Sequence, residues 1–99
     1  MNIFVVVTEF MFGMQDEAVF LSLSAAEKYM KARNKTEGRP KIIEAPVFGD
    51  LEKPGVVYTA SFYNPVYDIH IFEGIYGRYE EASAAAGERG LVLSRELSK

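Results

Sequence analysis

Residues 2–10 read Asn2-Ile3-Phe4-Val5-Val6-Val7-Thr8-Glu9-Phe10, and how this stretch is covered decides the fold. Its density of β-branched and aromatic side chains favours an extended strand. Alternation places Ile3, Val5 and Val7 on one side and Phe4, Val6 and Phe10 on the other. Both faces are apolar, so the stretch reads as a central strand that something must cover twice.

Working outward, residues 10–15 form a turn around Gly13 and residues 16–23 a second strand. Ser24-Ala25-Ala26-Glu27 has the spacing of a capping box, in which the serine oxygen accepts the Glu27 amide and the Glu27 side chain reaches back. A helix is therefore expected from Ser24 to about residue 35, with Ala26, Tyr29, Met30 and Arg33 on its core stripe and Glu37-Gly38-Arg39-Pro40 as its breaker. Lys41–Phe48 follows as a third strand, whose Pro46 belongs at an edge or a bulge because proline has no N–H to donate.

After the turn-forming connector Gly49–Gly55, the same phrase returns. Val56–Tyr63 and Asp68–Ile75 read as a hairpin, Gly77–Glu88 as a helix with Glu80 at its third position, and Gly90–Leu97 as a last strand. At a spacing of 53 residues, Ile3 meets Val56, Phe10 meets Tyr63 and Glu27 meets Glu80. The expectation is one α+β domain over residues 1–99, mostly antiparallel, in ββαβ-ββαβ order, with pseudo-repeat halves at 1–48 and 56–97. Two helices are too few to cover both faces of every strand. The two-sided first strand must find its second cover in the other half folded over it or in a second chain.

Composition removes whole classes of function. With 48% apolar and 25% charged residues and a net charge of −3, the chain is an ordinary globular domain rather than a disordered acidic segment. It lacks the surplus of Lys and Arg on which phosphate-backbone binding draws, so nucleic acid is not an expected partner. Zero cysteines remove thiolate nucleophiles, zinc fingers and disulfides, which fits a cytoplasmic location. The opening apolar run lacks the basic flank of a leader, and no stretch has membrane-spanning length, so no membrane role is expected.

Ile3–Thr8, Ala18-Val19-Phe20-Leu21-Ser22 and Ser24-Ala25-Ala26-Glu27-Lys28-Tyr29-Met30 together resemble small hairpin-helix-strand domains of phage and bacterial genomes that open VYVVT and continue VFSSxEKAEKYL. The likeness spans about the first third of the chain, and its motif is structural. It implies a small phage-type accessory or inhibitor protein that docks on a host protein complex, and it brings no catalytic residue with it.

Candidate chemistry is sparse. His70 is the sole histidine, and Asp68-x-His70 would place both side chains on one strand face as the seed of a metal site or an acid/base pair. A strand histidine without a third ligand is the plainer reading, so neither a catalytic function nor a cofactor is expected. Gly74-Ile75-Tyr76-Gly77-Arg78 leads into a helix N-terminus, where free N–H groups and Arg78 could receive an anionic metabolite or nucleotide, with His70 nearby. Lys28, Lys31, Arg33, Lys35, Arg39 and Lys41 gather most of the basic charge, and cations late in a helix also simply stabilise it.

The hairpin tips carry the clearest signal. Turns are usually polar, yet Phe10, Met11, Phe12 and Met14 occupy one, and Phe62, Tyr63, Val66 and Tyr67 the other. Aromatic and methionine side chains are enriched in interface cores, so the tips are either a contact for a protein partner or lids on the sheet's open face. A homodimer would satisfy both.

Overall fold

A computed structural model describes residues 1–33 and 39–97, in the order β1 (Asn2–Phe10), β2 (Gly13–Phe20), α1 (Leu23–Ala32), β3 (Arg39–Phe48), β4 (Val56–Asn64), β5 (Ile69–Tyr76), α2 (Tyr79–Ala86) and β6 (Leu91–Glu96). This is the α+β, mostly antiparallel architecture with two helices in ββαβ-ββαβ order. The strands form one curled sheet of order β2-β1-β3-β5-β4-β6. Every pairing is antiparallel except β3 with β5, which meet in parallel only at Val47↔Ile75 and Phe48↔Tyr76. No helix among the described residues is long and apolar enough to cross a membrane.

The two-sided first strand is covered from within the chain. Ile3, Val5 and Val7 share a buried cluster with Val19, Val47, Val57 and Ile75, so the inner face of the first three strands meets the inner face of the last three. On the outer side, Val6 and Phe20 pack under Ala26 of α1, with Phe4, Tyr29 and Met30 around them. In the second half, Tyr58 and Ala60 of β4 pack under Ala82 and Ala86 of α2. Each helix therefore covers the outer face of its own three strands, and the shared inner core joins the halves.

Both hairpins are bulged. Val6 pairs with Ala18 but Val7 with Asp16, leaving Glu17 as an extra residue in β2. Ala60 pairs with Gly74 but Ser61 with Phe72, leaving Glu73 as an extra residue in β5. A bulge raises local twist and bends its strand, which suits a sheet that curls over on itself.

Several boundaries differ from the sequence reading. Strand β2 begins at Gly13 rather than 16, because only Met11 and Phe12 form the turn. Helix α1 is capped by Ser22, whose Oγ accepts the Ala25 amide at 3.2 Å, and not by Ser24. It ends at Ala32, since Arg33 is already extended. Residues 35, 37 and 38 of the expected helix end and breaker lie outside the described residues. Helix α2 starts at Tyr79 with Arg78 as N-cap, which moves Glu80 to the second helical position. Its first amide is instead capped by Glu52, whose Oε1 accepts the Tyr79 N–H at 3.0 Å.

Pro46 lies on β3, which is internal in strand order but has β5 beside it only at its last two residues. The Val47 N–H donates to the Met1 carbonyl at 2.8 Å, and the β1–β3 register is unbroken. Odd-numbered β3 residues therefore direct their backbone groups at β1, while Pro40 and Pro46 face the open flank. Both prolines sit where no N–H is needed.

Candidate functional site

The two hairpins bring their tips together. In the first, Gly13 has a φ of 150°, and a Cβ there would lie 2.6 Å from Ile71 Cγ2, so only glycine lets β2 approach β5 this closely. In the second, Asn64 Oδ1 accepts the Val66 amide at 2.9 Å, and Asp68, at φ 54°, accepts the Tyr63 hydroxyl at 2.5 Å. These local bonds shape a four-residue loop, Pro65–Asp68. Across the gap, the Phe12 and Tyr67 rings stack with centroids 3.5 Å apart and planes 15° from parallel.

Stacking does not hide the tips. Phe12 and Tyr67 remain 42% and 47% exposed, and their neighbours Met11 and Val66 are 93% and 79% exposed. Met11 and Val66 adjoin the stacked rings in sequence, so four exposed apolar side chains from two distant segments collect at the joined tips. The other sequence candidates divide. Phe10 and Phe62 are exposed on the strands behind the turns. Met14 packs against the shared core. Tyr63 is half-buried with the Arg89 guanidinium 4.1 Å above its ring and the His70 ring 5.4 Å away. The hydrogen bond to the Asp68 carboxylate, with burial, raises the Tyr63 pKa above its ordinary value of 10.0.

Beside the first tip lies a concavity of about 520 Å³ lined by Glu9, Phe10, Met11, Gly13, Met14, Arg39 and Lys41. Lys41 bridges Glu9 at 2.7 Å, and this contact holds the Glu9 carboxyl below its ordinary pKa of 4.5. A smaller hollow of about 220 Å³ lies between the halves, lined by Gln15, Asp16, Ser61, His70, Leu91 and Leu93.

Asp68 and His70 do not form a pair, which corrects the shared-face expectation. Asp68 belongs to the turn and engages Tyr63, while the His70 Nε2 lies 3.1 Å from the Arg89 carbonyl. No group of three or more His, Asp or Glu among the described residues is placed to hold a metal ion. The Gly74–Arg78 segment is likewise committed to internal contacts. Gly77 is buried, its amide donates to the Phe48 carbonyl, and a Cβ on it would lie 2.3 Å from the Asp50 backbone oxygen. The positive end of α2 already receives the Glu52 carboxylate, which weighs against a free anion there. Gly74 is buried and Arg78 is exposed.

The basic cluster also separates. Arg33 chelates Glu17 through Nε at 3.0 Å and Nη2 at 2.8 Å, with Thr8 and Tyr29 hydroxyls donating to the same carboxylate. Lys41 serves Glu9, and Lys28 and Lys31 lie on the exposed side of α1. Sequence reading missed a third bridge, from Arg95 of β6 to Asp16 of β2 at 2.8 Å, which ties the halves together. A separation of 79 residues leaves no local trace of that contact.

Comparison of the chain with protein-family models, with curated proteins and with solved structures found no match.

Proposed function

We propose that the chain is a non-catalytic, cytoplasmic protein-binding module whose contact surface is the joined pair of hairpin tips. The observation that carries this reading is the stacked Phe12–Tyr67 pair at the joined tips, with the strongly exposed Met11 and Val66 next to it in sequence. Exposed apolar groups that cluster, rather than scatter, mark interaction surfaces on soluble domains. A rigid aromatic pair flanked by a flexible methionine gives such a surface both shape and adaptability. The resemblance of residues 3–30 to phage and bacterial domains gives the proposal its concrete form, a phage-type accessory or inhibitor protein that docks on a host complex. We also propose that the halves arose by duplication, a reading supported by their common strand order and paired bulges.

The test uses Met11→Asp with Val66→Asp, two positions whose exposure spares the core. Surface changes of this kind alter stability by about 0.5 kcal/mol or less. Wild-type chain immobilised against host lysate should retain a protein that the double variant releases, while their circular dichroism spectra superpose. Retention of the same proteins by both would contradict the reading.

A further inference from the structure

We propose a second interaction surface, independent of the tips: β6 is a strand-addition edge through which two copies of this chain pair antiparallel about a two-fold axis at Ser94. The Leu97 N–H donates to the Gly55 carbonyl at 2.8 Å, and the β4–β6 register is unbroken from Leu91 to Glu96. Residues 91, 93 and 95 therefore direct their backbone groups to β4, and Val92, Ser94 and Glu96 direct theirs outward. No strand takes up those outward groups among the described residues.

The other open flanks of the sheet each carry a device that discourages pairing. On β3, Pro40 and Pro46 occupy outward positions and offer no N–H. Strands β2 and β5 are each interrupted by a bulge, at Glu17 and Glu73. Of the strands with an open flank among the described residues, β6 alone has neither proline, lysine nor bulge. It also exposes Leu91 and Leu93 on one face.

The sequence of β6 complements itself. With Ser94 opposite Ser94 of a second copy, Val92 faces Glu96, Leu93 faces Arg95 and Leu91 faces Leu97. No like charges oppose one another in that register, and each outward N–H meets an outward carbonyl. A second copy therefore satisfies every free group on the edge at once, and the contact closes on itself as a two-fold dimer.

Sedimentation equilibrium of the full chain tests this. Because two six-residue strands make an interface smaller than standard, the series should run to about 1 mM. The expected result is a mass that rises from monomer toward dimer, with the Val92, Ser94 and Glu96 amides exchanging more slowly in deuterium as concentration increases. Ser94→Pro removes only an outward N–H, as Pro40 and Pro46 do on β3, and should weaken the dimer at least about tenfold by deleting both bonds at the axis. If that variant loses its circular dichroism spectrum, Ser94→Lys, which opposes two cations at the axis, should weaken the dimer in its place. Met11→Asp with Val66→Asp should leave the dimer intact, so failure here is distinct from failure at the tips. A monomer throughout, concentration-independent exchange at the three amides, or a dimer lost in the tip variant but retained in the position-94 variants would overturn the proposal.

Discussion

The two halves share a strand order and a helix position, yet they are fastened by different chemistry. In the first, α1 sits on bulky side chains, with Val6, Phe20, Tyr29 and Met30 filling the interface, and its end is held by the Glu17–Arg33 chelate. In the second, α2 presents Ala82 and Ala86 to Ala60 and Tyr58, and an acid from the connector holds its start. The difference shows that a strand face specifies apolar cover and not particular partners. The third strands differ too: β3 is guarded by two prolines, and β6 has none.

The largest effect expected to separate the halves comes from Glu17→Ala. Arg33, Thr8 and Tyr29 would lose a common acceptor in a partly buried site, at a cost of about 2 kcal/mol. Urea unfolding measures this, and one cooperative transition is expected because the shared core of Ile3, Val5, Val7, Val57 and Ile75 couples the halves. Two separate transitions would break the picture of a common core.

Smaller effects sharpen the contrast at the helix starts. Ser22→Ala removes a local cap from α1, and Glu52→Ala removes a distant one from α2, each costing about 1 kcal/mol. Their signatures in amide exchange should differ. Ser22→Ala should raise exchange only in the first turn of α1, whereas Glu52→Ala should also loosen the connector, because the Glu52 amide itself donates to the Gly77 carbonyl. Equal, purely helical effects would show that the connector is not part of the α2 cap.

What could be read from the sequence follows from the range of the forces involved. The apolar alternation of Ile3–Val7 and the return of that pattern at Val56–Ala60 are local, and they located the central strands and the fold class. Two serines near one helix start were harder to separate. Ser24 has the better-looking box, but Ser22 makes the cap, leaving Leu21 and Leu23 exposed although they had resembled strand residues. The site was half legible. Apolar turns at Met11-Phe12 and Val66-Tyr67 stood out by composition, but their stacking on one another depends on Gly13 meeting Ile71. Arg95 with Asp16 and Glu52 with Tyr79 are equally non-local, because the fold and not the spacing brings them together.

Photo-crosslinking reports whether the joined tips touch a protein partner, as proposed. A photoreactive amino acid placed at Met11 or Val66 should yield a discrete adduct with a protein partner on illumination in lysate. The same residue at Glu27, exposed on α1, should yield none. Adducts from positions 11 and 66 alone are the expected result. Silence at both tips, or equal adducts from Glu27, would contradict the account.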